Sequence, residues 1–242
     1  MNSKKKNIEA QIVEDFEKIR PAITRLLQTQ MKNDDLSLRY GRSKSNSKND
    51  IVINPSILVN TISKTNLDRD EVMIGTVVHE AIHATNNYSL DSESLNKLFP
   101  DELDDVEDID DVLEILTGPF GKYVFDILIH SIEEKIFVKQ YEGLNSILED
   151  IYTESFSEIK KLGNFSQYLS LLFHSITSYI DPEFENYKKP VVNSLNESLH
   201  ILKTLNYENV NVSELIEATV QMVDICRPVS YTHLTLPTRD DV

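Results

Sequence analysis

Thr76-Val77-Val78-His79-Glu80-Ala81-Ile82-His83 is the stretch on which the interpretation of this chain turns. Its two histidines stand four residues apart, so on a helix they share one face, one turn from each other. Both imidazoles can then reach a single ion at about 2.0–2.1 Å, the ordinary zinc–nitrogen distance. Glu80 follows the first histidine, where a carboxylate can take a proton from water activated by that ion. Thr76, Val77, Val78, Ala81 and Ile82 carry no charge, as a buried helix requires. The competing interpretation is a coincidental pair of helical histidines, facing solvent or packed in a core.

Working outward, Asp68, Asp70 and Glu71 form an acidic first turn suited to the positive end of a helix, which Val72, Met73 and Ile74 carry into the motif. Upstream, Leu36–Tyr40 alternates and Asp50–Asn54 is β-branched before Pro55 stops it. With the polar loop Gly41–Lys48 between them, the two runs predict a hairpin with a loop longer than a tight turn. Residues 57–62 suggest a short helix. Nearer the start, Ile8, Ile12, Phe16 and Ile19 recur at helical spacing, and Pro21 is expected to open a second helix carrying Ile23, Leu26, Leu27 and Met31. Downstream, Gly118-Pro119 punctuates a short helix, and residues 120–140, 144–160, 165–180, 184–206 and 212–226 are periodic enough to be helical. The expected fold class is mainly α (α+β), with a small β-hairpin or sheet near residues 35–55, in one domain over residues 1–228.

Composition narrows the function. The 242 residues carry a formal net charge of −16, which argues against a nucleic-acid partner because phosphate contacts need clustered Lys and Arg. Only Cys226 is present, so neither an internal disulfide nor a cysteine zinc site can form, and a cytoplasmic setting follows most simply. Residues 7–18 are too polar for the apolar core of a signal peptide, and no run of about 18 apolar residues predicts a membrane span. The last stretch, Val229-Ser230-Tyr231-Thr232-His233-Leu234-Thr235-Leu236-Pro237-Thr238, breaks with the acidic helical style before it. It matches, residue for residue, a translated transposase-type sequencing adapter. Residues 229–242 are therefore expected to be an artefact that truncates the natural chain near Pro228, and His233 is no ligand.

Two histidines leave a third ligand to find. A metzincin-type extension would need Gly at position 86 and His at position 89, where the chain has Asn86 and Ser89, so that class is excluded. A glutamate from a later helix, as in gluzincins, remains. Glu93 lies in a polar loop, where exposed carboxylates are common. Glu133 and Glu134 sit among Val124, Phe125, Leu128, Ile129, Ile132, Ile136 and Phe137, where a buried carboxylate needs a partner or a metal. His130 shares a face with Glu133. Neighbouring helical positions diverge by about 100°, so one of the two glutamates is expected to face the metal, and Glu133 is chosen. The alternative is that both lie on the solvent face of an amphipathic helix.

Taken in order, Asp50-Ile51-Val52-Ile53-Asn54-Pro55, Val78-His79-Glu80-Ala81-Ile82-His83, His130-Ser131-Ile132-Glu133-Glu134 and Tyr141-Glu142-Gly143-Leu144 resemble bacterial and phage metallopeptidase-like proteins. These carry a zincin domain ahead of a von Willebrand factor A domain and are often labelled cobalt-chelatase-T-like. The resemblance spans about residues 35–150. It implies a helical zincin-like domain in which a strand ending in Asn-Pro precedes the metal helix. A later Asn-x-x-Glu-Asp helix supplies the third ligand and runs into a Tyr-Pro-Gly-like turn. The family's Asn falls at His130, its Asp at Glu134, and its following Arg-x-Glu at Ile136-Phe137-Val138. A downstream A domain would be lost in the expected truncation.

The expectation is thus a metallopeptidase-like hydrolase holding Zn²⁺ through His79, His83 and Glu133, with Glu80 as general base and a peptide or protein as substrate. The strand near Ile51–Asn54 could pair with an extended peptide. Two rivals stand beside it. One is a non-catalytic adaptor working with an ATPase or a von Willebrand factor A-domain partner, as the resemblance allows. The other is a pure interaction module with an accidental motif.

Other features carry less. Nine acids between Asp101 and Glu114 lack the glycine of a calcium loop and suggest a solvated, mobile insertion, a candidate lid. His174 and His200 lie in helical stretches as packed or surface histidines. Tyr141 or Tyr123 could serve an oxyanion, though aromatic core residues are far commoner. No serine-nucleophile elbow and no glycine-rich phosphate loop are present.

Overall fold

The computed structural model describes residues 3–41, 49–54, 58–59, 62, 66–85, 99, 108–156, 159–180 and 183–230. The chain is mainly α-helical with a two-stranded parallel sheet. It divides into two compact units, residues 1–87 with 137–156, and residues 88–136 with 157–242.

The first unit opens with α1 (Ser3–Met31), one helix with Pro21 inside it, where the sequence suggested two. A proline within a helix costs about 3 kcal/mol. Here the apolar stripe runs straight past it: Ile12, Phe16, Ile23 and Leu27 are all buried. Burying Ile23 and Leu27 contributes about 1.5–3 kcal/mol each, enough to hold the helix together through Pro21. Ile8, counted in the stripe by spacing, is half exposed.

Strands β1 (Ser37–Tyr40) and β2 (Asp50–Ile53) pair in parallel, with Ser37 opposite Asp50 and Tyr40 opposite Ile53. The expected hairpin is therefore not formed. Asp50 shows why this register holds. It accepts hydrogen bonds from Arg39 Nε at 2.8 Å and from Ser37 Oγ at 2.9 Å, both on β1, and these, Arg39 foremost, hold its carboxyl below the usual range. The same register buries Leu38, Ile51 and Ile53. Helix α1 fastens β1 by its polar side chains: Gln28 Nε2 donates to Leu36 O at 2.9 Å, and Arg20 Nη1 to Leu38 O. Leu58 and Val59 are helical and buried; the rest of the short helix expected over residues 57–62, apart from Ile62, lies outside the described residues.

Helix α2 (Arg69–Thr85) begins as expected. Asp68 Oδ1 accepts from the Asp70 amide at 2.8 Å, a side-chain cap on an otherwise unpaired N–H. Helix α2 packs on α1, on β2 and on α5 (Glu142–Phe156), which completes this unit. Its core gathers Phe16, Leu27, Leu38, Ile51, Met73 and Val77.

In the second unit α3 (Ile109–Thr117) is capped by Asp108, whose carboxylate accepts from the Asp110 amide at 2.7 Å. This corrects the expected mobile insertion for its second half: Asp108, Asp110 and Asp111 serve the positive end of a helix whose Val112 and Leu113 are buried. Residues 101–107 lie outside the described residues. Gly118 follows at φ 65° and ψ −159°, backbone that only glycine adopts readily, and α4 (Gly121–Gln140) starts after a short 3₁₀ turn. The rest of the unit is α6 (Asn164–Thr177), α7 (Lys189–Leu202) and α8 (Val212–Ser230), packed on one another, with α8 also against α3. Polar pairs stitch the buried faces. Tyr168 Oη and Ser198 Oγ stand 2.7 Å apart, and Ser194 Oγ donates to Ile225 O at 3.0 Å. At the start of α8, Asn211 and Glu214 cap each other's amides reciprocally. Val229, the first residue of the adapter-like stretch, is buried in α8; residues 231–242 lie outside the described residues. Among the described residues, no helix is long and apolar enough to cross a membrane.

Candidate functional site

Helix α2 turns its apolar residues inward and leaves the chemistry at the border. Val72, Met73, Val77, Val78, Ala81 and Ile82 are buried, while His79 and Glu80 are partly exposed. His83 occupies the helical position one turn after His79, and its side chain lies outside the described residues.

What fixes His79 comes from α5. Gly75, one turn earlier on the same face of α2, sits against Ile147 and Ile151 so closely that an added Cβ would stand 3.1 Å from Ile147 Cγ2 and closer still to Ile151 Cδ1. That close approach brings the next residue of α5, Tyr152, to His79. The Tyr152 hydroxyl lies 3.1 Å from His79 Nδ1, with the rings edge to face at 6.5 Å and 70°. This contact was invisible to sequence reasoning, which weighed Tyr141 and Tyr123 instead. Tyr141 forms the link between α4 and α5 and packs on Phe137 at 4.7 Å, and Tyr123 is exposed and edge-on to Phe165. The only early sign of Tyr152 was its place in a helix with an apolar face.

Glu133 belongs to α4 and to the second unit, whereas His79, Glu80 and His83 belong to the first. Ser131, Ile132, Glu133 and Glu134 are all buried in succession, so α4 is covered on every side at this level. That overturns the solvent-face alternative for the two glutamates. It also removes the angular argument for preferring Glu133, since Glu134 is buried no less deeply. His130, one turn before, is half-buried. Buried carboxylates require charged or hydrogen-bonding partners, and both glutamates have them.

Among the described residues, no group of three or more His, Cys, Asp or Glu side chains is gathered to hold a metal. His83's imidazole lies outside that set. The donors that are described still suit zinc in kind. A ring nitrogen of His79 is engaged by an outer hydroxyl, as the ring nitrogens of metal-bound histidines commonly are. Elsewhere, His174 is buried on α6 and its pKa is pushed down to about 4 by desolvation, while His200 is exposed on α7. Cys226 is buried, which pushes its thiol up to about 12.

Comparison with protein-family models, with curated proteins and with solved structures finds no match to this chain.

Proposed function

We propose that this chain is a zinc-dependent metallopeptidase-like hydrolase, acting on a peptide or protein in a reducing compartment. The observation that carries the proposal is the hold on His79. An i, i+4 histidine pair on a half-buried helix is common enough by accident. An accidental histidine, however, has no need of a phenol at 3.1 Å from Nδ1. With the proton on Nδ1, His79 donates to Tyr152, and Nε2 becomes the coordinating nitrogen.

His79 and His83 would hold the ion, with a carboxylate as the third ligand. Zinc bound there would supply Lewis acidity, polarising the scissile carbonyl and lowering the pKa of water towards about 7. Glu80 takes the proton from the attacking water and returns it to the leaving amine. Its partial exposure suits a group that must meet water and substrate. Tyr152 positions His79 and does not touch the reacting atoms.

The test is metal content and cleavage together. Purified protein should contain about one zinc per chain and cleave unstructured peptides, and a chelator should stop cleavage. Glu80→Gln should keep the metal and abolish cleavage. Protein without stoichiometric zinc overturns the proposal, and unchanged cleavage by the variant removes Glu80 from the reaction. Zinc retained with no cleavage by the unaltered chain would point to the adaptor role.

A further inference from the structure

The second unit holds a cavity of about 530 Å³ that plays no part in the proposed hydrolysis. That volume falls in the usual range for small-molecule sites. One wall is a single face of α7, since Asn196, Leu199, His200 and Lys203 follow at spacings of three, one and three. Ser175 and Ile176 at the end of α6, and Tyr207 after α7, supply the rest used here.

Charge and hydrogen bonding agree on what it would take. Asp and Glu outnumber Lys and Arg by 40 to 24 in the chain, yet no carboxylate among the described residues lines this cavity. Ser175 Oγ beside it is buried and has no hydrogen-bond partner among the described residues. Behind the lining, Lys135 Nζ donates to Ile176 O at 2.7 Å and stands 5.3 Å from the centre of the Tyr207 ring. Burial pushes its pKa down, and no carboxylate among the described residues counters that effect. The bland account, that His200 and Lys203 merely complement the negative end of α7, does not explain why a second cation, Lys135, stands behind the same lining with no carboxylate partner among the described residues.

We propose that this cavity binds a small organic oxyanion, its charged head held by Lys203 and His200 and its apolar body laid against Leu199, Ile176 and Tyr207. The head is a phosphate monoester or a carboxylate. Lys135 favours the anion through the field it sets across Tyr207 and the end of α6.

The experiment uses the full chain, ¹⁵N-labelled, titrated with phenyl phosphate, with benzoate and with neutral benzyl alcohol. Either anion should produce saturable amide shifts at Ser175, Ile176 and Leu199–Lys203, and the stronger binder identifies the head group. Benzyl alcohol should shift none of them at the same concentration. Lys203→Ala should weaken binding about tenfold with an unchanged unfolding midpoint, because Lys203 is exposed and its side chain makes no hydrogen bond or ion pair among the described residues. His200→Ala should weaken binding in the same way and also without loss of stability, since His200 is exposed. The proposal fails if neither anion gives saturable shifts there up to about 10 mM, beyond the weak end of specific binding. It fails equally if benzyl alcohol binds as well as the anions, or if both variants bind like the parent.

Discussion

Replacing Tyr152 by Phe removes one oxygen atom and tests the centre of the functional proposal. The phenol oxygen lies 3.1 Å from His79 Nδ1, a neutral hydrogen bond between two half-buried groups. Such a bond contributes about 0.5–1.5 kcal/mol net. If it acts wholly by holding the imidazole for metal, its loss raises the zinc dissociation constant by about 2- to 13-fold at 1.36 kcal/mol per decade. Removing an outer partner of a metal-bound histidine typically costs about 10- to 100-fold. The two ranges meet near tenfold, which is the expected value. The ring remains, so its edge contact with His79 is kept, and the metal-free protein should lose no more than about 1 kcal/mol. Zinc affinity measured by chelator competition, beside urea unfolding of the metal-free form, separates the effects. An affinity within about twofold of the parent would refute the positioning role, because it falls at or below the weakest value that the hydrogen bond allows. A stability loss as large as the affinity loss would refute it too, by making Tyr152 a packing residue.

Two further predictions concern stability. Gly121 has ordinary helical backbone, but a Cβ there would stand 2.7 Å from Thr117 Cβ and 3.3 Å from Leu113 O, neither of which can swing away. Gly121→Ala is expected to destabilise by about 1–3 kcal/mol in thermal unfolding, whereas Gly143→Ala, with nothing within 4 Å among the described residues, should be neutral or slightly stabilising. His174 is 4% exposed with its pKa pushed down to about 4 from an ordinary 6.5, so the unfolded chain binds the proton more readily. Its contribution to stability is complete above pH 6.5 and is lost as pH falls towards 4, about 2 kcal/mol of it by pH 5. Urea midpoints at pH 7 and 5 should show that slope in the parent and a flatter one in His174→Phe; parallel slopes would exclude His174 as the titrating group.

The helices were readable in advance because apolar residues at a 3.6-residue period need little beyond local burial to become helices. Where the forecast failed, a distant contact decided. Pro21 signals a break, yet Ile23 and Leu27 continue the buried face begun by Ile12 and Phe16, and packing outweighs the local cost. Alternation in Leu36–Tyr40 and β-branching in Asp50–Asn54 announce strands but not their relative direction, which Asp50 sets by reaching Ser37 and Arg39. The histidine pair was visible because both residues and Glu80 lie within a turn and a half of one helix. Tyr152 is 73 residues from His79, and nothing local marks it as a partner. Glu133 and Glu134 could not be separated for a related reason. The angular argument assumes one solvent-facing side, and α4 has none at that level.

The parallel pairing of β1 and β2 bears on the order in which this unit assembles. A hairpin can start at its own turn and zip outward. Parallel strands cannot, because each rung joins residues 13 apart in the chain and no rung is closer than another. Every contact between them therefore bears the same closure entropy, and pairing gains nothing until some surface already holds both strands. Helix α1 is that surface for β1, through Gln28 and Arg20, and α2 is that surface for β2. The sheet is then a late seam between two helices that have already docked, and the helix bearing His79 is among the parts the strands must wait for.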